Sequence, residues 1–409
     1  MINLITNTIS WFFLIGLSIS FAFYVLTLVA GFHSPVLKPD SISEESKTKS
    51  LTVIVPARNE SKLLEKCLKS LKKQTFPRLK VHIAINNSND EEISKMKKII
   101  QKFPEERFSF ENYGKMDEAW ISGKTWVIHR SIVSLRDKLG DFILFLDADV
   151  QLSSEYALKV AVKYMNKNKQ IGLMSLHPRF IFHSFVERLV LYMIPPVLSS
   201  AAYINDLLYH GFNPNFSTTA GWFLLIRKSD LDEINKNKGT EGLNLLKTCP
   251  FSDDIATGRL FIMNKKKTKM PFGGYLIQNT MFSNPQRAIL GMKRFGTNTY
   301  GAMKMQYKIM GLLLLLFKVF PYFSLIFLVF VHVPYFSNNI LDFFVLILNI
   351  GVLLFSLIAE YHVLNRCNMK GALVFFLTPI KLFFFIFGVL SIIGKKPDHF
   401  IKQYNTEVR

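Results

Sequence analysis

The chain has long apolar stretches towards its two ends and a charged region between them. Residues 9–32 contain no Lys, Arg, Asp or Glu, and no such residue precedes Lys38. A run of that length is enough to cross a bilayer as a helix, at about 1.5 Å of rise per residue. Apolar stretches return at residues 312–335, 340–360 and 371–393. The pattern predicts one N-terminal transmembrane helix and two to three C-terminal ones.

The last apolar stretch is the least regular of the four. Pro379 in its middle breaks the helical hydrogen-bond ladder, and Lys381 would be costly at the centre of a bilayer. If all three C-terminal stretches spanned, the basic residues from Lys395 onward would lie on the side that the positive-inside rule disfavours. We therefore favour a re-entrant or interfacial segment here, with a full crossing as the alternative.

Charges beside the first apolar stretch predict its orientation. Lys38, Lys47 and Lys49 follow it, so the positive-inside rule places the N-terminus outside and the next domain in the cytosol. A cleaved signal peptide would have a positively charged start and a shorter apolar run. We expect a multi-pass protein of the cell membrane with an anchor, a cytosolic domain, and a membrane region with a basic tail: residues 1–37, 38–308 and 309–409.

In the central domain, short apolar strands alternate with amphipathic helices. Residues 61–73 predict a helix, because five apolar side chains share one face: Leu63, Leu64, Cys67, Leu68 and Leu71. Five short apolar runs predict strands: 51–56, 81–85, 142–146, 171–176 and 222–226. This alternation predicts the α/β class, with a doubly wound and largely parallel sheet that binds ligands beyond the carboxyl ends of its strands.

Composition adds a membrane surface to the expected partners. The chain has 50 Lys and Arg against 30 Asp and Glu, a formal net charge of +20. A basic domain beside membrane spans is expected to face anionic headgroups, and because no nucleic-acid module is recognisable we expect no nucleic-acid partner. Residues 180–209 are rich in Phe, Leu, Ile and Tyr. They form either ordinary core or an interfacial helix that rests on the bilayer.

Two acidic residues directly follow the apolar run 142–146. Asp147 and Asp149 are separated by one residue, so on an extended chain they point to the same side. At the carboxyl end of a strand that side faces the ligand crevice, where one or two carboxylates and substrate phosphates typically hold Mg²⁺. We predict a site for Mg²⁺ or Mn²⁺, with a solvated turn as the alternative.

A second acidic pair, Asp253 and Asp254, precedes a predicted helix start. The structural interpretation is N-terminal capping, because free N–H groups and the helix dipole stabilise carboxylates there. The catalytic interpretation makes one of them, Asp254 by preference, the general base that takes the proton from an acceptor hydroxyl. The two interpretations are compatible.

Three other segments are candidates for contact with a nucleotide, a phosphate or a sugar ring. Residues 55–60, VPARNE, are either an ordinary strand–helix turn or a nucleotide-contacting loop. Gly123 and Lys124 resemble the end of a P-loop, but Glu118 stands where that motif needs Gly, so we reject a P-loop here. We predict only that the charge of Lys124 contacts a phosphate. Trp222 either stacks on a sugar or is a core residue.

Together these motifs resemble the family 2 glycosyltransferases with a GT-A (Rossmann-like nucleotide-binding) fold. The resemblance is to the membrane-bound branch that includes ceramide glucosyltransferases and bacterial hopanoid and carotenoid glycosyltransferases, and it covers roughly residues 50–296. It implies an inverting transfer from a nucleoside-diphosphate sugar, with a metal ion stabilising the departing diphosphate. The implied donor contacts are Pro56, Arg58, Glu60, Asn87, Lys124, Asp147 and Arg294. The other implied roles are metal binding by Asp147 and Asp149, acceptor or sugar contact by Gly221 and Trp222, and catalysis by Asp253 and Asp254.

The chain departs from the family pattern in three places. Asn86 and Asn87 stand where an acidic residue usually reads the nucleotide base; the amide of Asn87 suits uracil, so we expect a UDP-sugar. The family's QxxRW motif is reduced to GMKRF at 291–295, where Arg294 keeps the phosphate-binding guanidinium. The basic Trp-containing motif after the last membrane segment is replaced by GKKPD.

We therefore expect an enzyme that glycosylates a hydroxyl or carboxyl of a membrane lipid, because a tethered crevice can reach an acceptor that stays in the bilayer. One alternative is a processive polysaccharide synthase, which the few spans and Gly291 argue against. The other is a non-catalytic membrane scaffold or sugar-binding protein that retains the fold. The intact Asp147, Asp149 and Asp254 argue against this second alternative.

Overall fold

The strands of the protein form two sheets. The computed structural model describes residues 2–39, 48–86, 88–209, 217–249, 253–282, 286, 291, 305–332 and 340–369. The strands in these ranges are β1 (Ser50–Ala57), β2 (Arg78–Ile85), β3 (Phe108–Asn112), β4 (Phe142–Leu146), β5 (Val150–Leu152), β6 (Ile171–Ser175), β7 (Arg179–Phe180), β8 (Phe223–Arg227), β9 (Lys267–Lys269) and β10 (Ile277–Asn279). The main sheet has the order β3-β2-β1-β4-β8-β6-β9, and the small sheet has the order β5-β10-β7.

The α-helices pack around these sheets or form the apolar ends of the chain. They are α1 (Ile2–His33), α2 (Ser61–Lys72), α3 (Asp90–Ile100), α4 (Gly123–Ser134), α5 (Ala157–Lys167), α6 (Phe185–Leu191), α7 (Ile194–Tyr209), α8 (Lys228–Lys238), α9 (Asp253–Met263), α10 (Met305–Phe327) and α11 (Ile340–Arg366). The predicted helix at 61–73 is confirmed as α2, whose buried face includes Leu64, Cys67, Leu68 and Leu71.

The main sheet is parallel over its first four strands and mixed beyond them. β1 pairs in parallel with β2 and β4, whereas β8 runs antiparallel between β4 and β6. All five residues of β4, sequence FILFL, are buried, as expected for a strand covered on both faces. The five predicted strands are confirmed, and with them the α/β class. The other strands, of two to five residues, are too short for a clear alternation signal.

The small sheet begins directly after the predicted metal-binding pair. Val150 of β5 pairs with Asn279 of β10, and the N–H of Thr280 donates to the carbonyl of Asp149 at 3.2 Å. The chain that follows β4 is thereby held by a segment from the end of the soluble domain. This contact fixes the main chain of Asp149 to the small sheet.

One residue, Phe272, joins the soluble domain to both ends of the chain. Its N–H donates to Pro35 and its carbonyl accepts from Leu37, at 2.9 and 2.8 Å. The guanidinium of Arg366 lies over the Phe272 ring at 5.5 Å, and the ring of His177 stacks on it at 5.0 Å. The segment after α1 and the end of α11 therefore meet at one residue, the first through its main chain and the second through its ring.

Three helical stretches among the described residues are long and apolar enough to cross a membrane: Asn7–His33, Phe185–Leu207 and Ile340–Arg366. The first and third agree with the predicted spans at 9–32 and 340–360. The predicted span at 312–335 is less regular, because α10 contains Pro321 and is followed by a π-helical turn, Leu328–His332, with an apolar part of Leu316–Phe330. The predicted segment at 371–393 lies outside the described residues.

The apolar stretch at 180–209 packs against the N-terminal helix. Ser200 of α7 donates to the hydroxyl of Thr27 of α1 at 3.1 Å, and the rings of Tyr203 and His33 lie 4.9 Å apart. These contacts join α7 to a candidate membrane helix. The interfacial position itself, like the three-part division of the chain, stays a prediction.

Candidate active site

A lysine joins the two acidic pairs at the carboxyl edge of the main sheet. Nζ of Lys124 lies 2.6 Å from Oδ1 of Asp147 and 2.9 Å from Oδ2 of Asp253. The same Nζ donates to the main-chain oxygen of Gly221 at 3.3 Å. Three segments that are far apart in the chain, after β4, before β8 and at the start of α9, therefore meet at one ammonium group.

The first turn of α4 positions this ammonium. Ser122 caps the helix by accepting from the N–H of Thr125 at 3.2 Å, and Nδ2 of the buried Asn86 donates to the carbonyl of Gly123 at 3.1 Å. Burial by itself lowers the pKa of Lys124, but the carboxylates of Asp147 and Asp253 outweigh burial and raise this pKa above its ordinary value. Lys124 is thus a permanent positive charge at the site.

Asp149 carries a buried oxygen, Oδ1, which has no hydrogen-bond partner among the described residues. Burial, followed by the charges of Asp147 and Glu60, raises the pKa of Asp149 well above its ordinary value, although Lys124 opposes this shift. A buried carboxylate oxygen without a donor is costly unless a cation or a proton satisfies it. Asp147 and Asp149 therefore fit a divalent cation.

Within the described residues, no group of three His, Cys, Asp or Glu side chains converges as a metal-ligand set. An ion at this edge would therefore rest on the two carboxylates and on oxygen atoms from water or a bound substrate, which is the coordination typical of Mg²⁺. Cys67 lies behind the pair with Sγ 3.9 Å from the main-chain oxygen of Asp147. Burial raises the pKa of the Cys67 thiol, which therefore stays protonated as an apolar packing group.

The carboxylate of Asp254 is oriented by main-chain donors. Oδ2 accepts from the N–H of Gly221 at 2.9 Å, and Oδ1 accepts from the N–H of Ile255 at 2.8 Å. The hydroxyl of Thr219 donates to the Asp254 carbonyl at 2.6 Å. Asp253 and Asp254 form the first turn of α9, as predicted, and the contact with Gly221 adds an orientation that a capping role does not require.

Gly221 lies where no side chain fits without displacement. A Cβ atom at this position would lie 3.1 Å from Nζ of Lys124 and 3.4 Å from Oδ2 of Asp253. The main chain of Gly221 thus comes close enough to contact both the Lys124 ammonium and the Asp254 carboxylate. The predicted acceptor role of Gly221 stays a prediction.

Trp222 packs in the core. Its side chain is buried, its indole N–H donates to the carbonyl of Leu176, and its ring meets Phe180 edge to face at 5.6 Å. This is the structural alternative considered for Trp222. The geometry gives no support to stacking on a sugar, because the ring is used to fill the space between the sheets.

The loop at 55–60 contacts the end of β2. Asn59 adopts a left-handed backbone conformation, φ +52°. Its N–H donates to Ser88, and its side-chain oxygen accepts from the N–H of Asn89, both at 3.1 Å. Glu60 takes the N-cap position of α2 without a side-chain capping bond. The loop is thereby ordered at the edge where a nucleotide is predicted to bind.

The remaining predicted donor residues differ in how far the structure describes them. Pro56 is buried near the end of β1, and Arg58 is partly buried with an Nε that has no hydrogen-bond partner among the described residues. Asn87 and Arg294 lie outside the described residues. The donor roles of these side chains stay predictions.

Sequence reasoning did not assign the two positioning residues Thr219 and Asn86. Both make a single hydrogen bond from side chain to main chain, at the carbonyls of Asp254 and Gly123. Their positions, two residues before Gly221 and directly after β2, were the only available signals, since such contacts depend on which segments meet in space. Asp147 and Asp149 needed no such information, because their position directly after β4 is a local feature.

Comparison with known proteins agrees with this geometry. The family model of glycosyl transferase family 2 matches residues 52–115, from β1 to just beyond β3. A 4,4'-diaponeurosporenoate glycosyltransferase from Staphylococcus haemolyticus is 30% identical over 168 residues, which are 40% of this chain. The matched region spans 42% of that relative, less than half of its length.

A solved structure extends the likeness to nearly the whole chain. It is a mannosyltransferase from Pyrobaculum calidifontis in complex with GDP-Man and Mn²⁺, which matches with a TM-score of 0.52 over 95% of this chain and 99% of that one. The sequence identity is 13%, so this likeness concerns the fold alone. Residues 52–115 are thus similar to glycosyl transferase family 2, and the fold of the chain is of the GT-A type seen in the solved mannosyltransferase.

Proposed function

We propose that the chain is an inverting, metal-dependent hexosyltransferase that moves a sugar from a nucleoside-diphosphate sugar to a membrane lipid. The observation that carries the proposal is the ammonium of Lys124, which lies between Asp147 and Asp253. It brings together the predicted donor, metal and base segments at the edge where α/β sheets bind ligands. A solvated turn or a helix cap alone would not need this convergence.

Asp254 is the proposed general base. Each of its oxygens accepts one main-chain N–H, from Gly221 or Ile255, and an ionised carboxylate oxygen can accept more than one hydrogen bond. As the acceptor oxygen bonds to the anomeric carbon, its proton passes to Asp254 and the bond from that carbon to the diphosphate oxygen breaks. Attack on the face opposite the diphosphate gives inversion.

Asp147 and Asp149 would hold the divalent ion, Mg²⁺ or Mn²⁺, which supplies charge neutralisation for the departing diphosphate. The buried, unpartnered oxygen of Asp149 supports this assignment. Lys124 keeps its charge beside Asp147 and is suited to contact a donor phosphate. Pro56, Arg58, Glu60, Asn87 and Arg294 complete the proposed donor contacts, and the amide of Asn87 suits the uracil of a UDP-sugar.

A membrane lipid is the proposed acceptor. The relative from S. haemolyticus is by its name a transferase acting on diaponeurosporenoate, a carboxylate. The apolar helices at both ends of this chain would keep the site close to a bilayer. Positive charge after the first helix favours a multi-pass protein of the cell membrane whose catalytic domain is cytosolic and faces anionic headgroups.

The test is sugar transfer by the full chain in membranes. Membranes that contain the protein are incubated with radiolabelled UDP-hexoses, with Mg²⁺, Mn²⁺ or chelator, and lipids are separated by thin-layer chromatography. We expect a labelled glycolipid that requires the ion and is lost in Asp149→Ala and Asp254→Asn. Asp232→Asn, an exposed carboxylate paired with Lys228 at 2.6 Å, is the matched control and should keep full activity.

Three results would contradict the proposal. Label in a high-molecular-weight polysaccharide would favour a processive synthase. Transfer that persists in both site variants would exclude the proposed roles of the two aspartates. Absence of any transfer with all nucleotide sugars, while the protein remains folded, would favour a scaffold that retains the fold.

A further inference from the structure

The segment that enters β8 packs against the helix that carries the proposed base. Residues 217–221 directly precede Trp222 and β8, and they contact α9 through Thr219 and Gly221. Within the same segment, the N–H of Ala220 donates to Oγ of Ser175 in β6 at 3.3 Å. The segment is therefore held both by the main sheet and by the first turn of α9.

Two side-chain hydroxyls of this segment, the hydroxyl pair Ser217 and Thr219, form a directed series of hydrogen bonds. The hydroxyl of Thr219 donates to the main-chain carbonyl of Asp254 at 2.6 Å, and Oγ of Ser217 lies 3.0 Å from Oγ1 of Thr219. A hydroxyl has a single hydrogen and a carbonyl can only accept. Because the hydrogen of Thr219 is used at Asp254, Ser217 must donate to Thr219. The series therefore runs from Ser217 through Thr219 to Asp254.

The hydroxyl pair is withdrawn from water. Ser217 is 1% exposed and Thr219 is 5% exposed. A buried hydroxyl that loses its partner is costly, because water cannot replace the missing hydrogen bond. Removal of one hydroxyl thus affects the next one, and the pair acts on Asp254 as a unit.

Gly258 makes room for the hydroxyl pair. It lies in the interior of α9, one turn after Asp254, where glycine is less favourable than alanine. A Cβ atom at this position would lie 1.9 Å from Oγ of Ser217 and 2.4 Å from Oγ1 of Thr219. Any side chain at Gly258 would therefore displace both hydroxyls. This close approach gives a physical reason for a glycine inside the helix.

The segment contacts residue 254 at two points. Thr219 binds its main-chain carbonyl, and the N–H of Gly221 donates to its Oδ2 at 2.9 Å. Together the two contacts fix the main chain of Asp254 and the direction of its carboxylate. We propose that Ser217, Thr219 and Gly258 are positioning residues that hold this carboxylate in the geometry needed for proton transfer. This inference rests on the proposed function and deepens it, because the three residues act only through Asp254.

The first test measures transfer by variants of the full chain in membranes. Thr219→Val keeps the shape of the side chain but removes its hydroxyl, and kcat should fall about tenfold through a shift of the base by a fraction of an ångström. The KM for the nucleotide sugar should not change, since the donor contacts lie on other segments. Thr219→Ser keeps the hydroxyl and should recover most of the loss.

The other two positions should follow the order of the series. Ser217→Ala should lower kcat by only about threefold, because Thr219 keeps its bond to Asp254. Gly258→Ala should lower kcat by about 10²-fold, because the hydroxyls must move by more than about 1 Å. If Gly258→Ala does not fold, the comparison of Thr219→Val with Thr219→Ser decides alone.

A double-mutant cycle separates positioning from a purely structural role. In the Asp254→Asn background, Thr219→Val should have almost no further effect on the rate, because the group that it positions no longer takes the proton. A structural role alone would give the same loss in both backgrounds. The matched control is Thr240→Val near the end of α8, where the hydroxyl donates to Oδ1 of Asn235 at 2.9 Å. It should leave kcat unchanged.

Hydrogen–deuterium exchange of the purified chain in detergent follows the hydroxyl pair without any need for transfer. Loss of the bond from Thr219 to Asp254 should loosen the start of α9. Peptides that cover residues 253–263 should therefore exchange faster in Thr219→Val than in the wild type, and at the wild-type rate in Thr240→Val. Thr219→Ser should exchange more slowly than Thr219→Val.

The results separate this inference from the proposed function. Equal exchange in Thr219→Val and the wild type would overturn the inference, and so would equal losses of rate in the two backgrounds. Sugar transfer that is not reduced in folded Thr219→Val would contradict the positioning role and leave the proposed function intact. Faster exchange in Thr219→Val, in a protein that transfers no sugar, would uphold the contact with α9 and contradict the proposed function.

Discussion

The main-chain N–H of Gly221 donates to Oδ2 of Asp254 at 2.9 Å. The contact joins the start of β8 to the first turn of α9 and leaves the carboxylate beside the bridge between Lys124 and the other aspartates. A base that is fixed by main-chain donors needs no reorganisation when the acceptor arrives. The relationship makes the position of the carboxylate, and not only its charge, a requirement of the proposed mechanism.

Asp254→Asn should remove the proton acceptor while keeping most contacts of the side chain. We expect transfer to fall by about 10²–10⁴-fold, the usual contribution of a general base, with little change in donor affinity. Initial rates of glycolipid formation and calorimetric titration with the nucleotide sugar would check this. A variant with wild-type rates would exclude Asp254 as the base.

Gly221→Ala should disturb the site without any change of charge. The new Cβ would lie 3.1 Å from Nζ of Lys124, so either the ammonium or the β8 segment must move. A displacement near 1 Å costs about 10²-fold in rate. Because relief of a 3.1 Å contact needs a shift of only a few tenths of an ångström, we expect a smaller loss in kcat, up to about tenfold. Gly351→Ala is the matched control, because a Cβ there meets nothing within 4 Å.

Lys124→Met should leave the carboxylates of Asp147 and Asp253 without their shared cation. Their repulsion would then separate the metal and base segments, and we expect activity to fall by about 10²-fold or more. Binding of Mn²⁺, followed by electron paramagnetic resonance, should tighten at the same time, because a competing cation beside Asp147 is removed. Weaker Mn²⁺ binding in a folded variant would contradict the bridge as described.

His177 should make the stability of the protein depend on pH. Burial lowers its pKa to about 3, whereas an unfolded His titrates near a pKa of about 6.5. Between these values the unfolded state binds a proton that the native state does not, so the free energy of unfolding falls as pH decreases. The contribution reaches about 1.4 kcal/mol per pH unit.

His177→Leu removes this titration. Urea unfolding in detergent, followed by Trp fluorescence at pH 7, 6 and 5, should therefore show the free energy of unfolding of the wild type falling relative to that of the variant as pH decreases. Parallel curves for the two proteins would show that His177 is not buried in its neutral form.

Gly274→Ala should weaken the junction between the soluble domain and α11. A Cβ at this position would lie 1.8 Å from the carbonyl oxygen of Cys367, so the backbone must shift. We expect a loss of about 1–3 kcal/mol, typical of overpacking, measured as a lower midpoint of thermal unfolding in detergent. The same substitution at Gly351 should cause no loss.

Local patterns in the sequence determined most of the architecture. The apolar run of β4 with Asp147 and Asp149 behind it, the helical face of α2 and the charge-free stretch of α1 are short-range features, so periodicity and composition are sufficient to predict them. The family's motifs identified the acidic residues for the same reason. Neither depends on which segments meet in space.

Only the tertiary structure decided how these parts work together. The antiparallel insertion of β8 beside β4 brings Gly221 to Lys124 and Asp254, and the segment before β8 brings Thr219 to the first turn of α9. The tertiary structure also showed that Trp222 is buried in the core, where its indole N–H donates to a main-chain carbonyl. Such contacts join residues far apart in the chain, and their formation depends on strand order and helix packing, which no local pattern encodes.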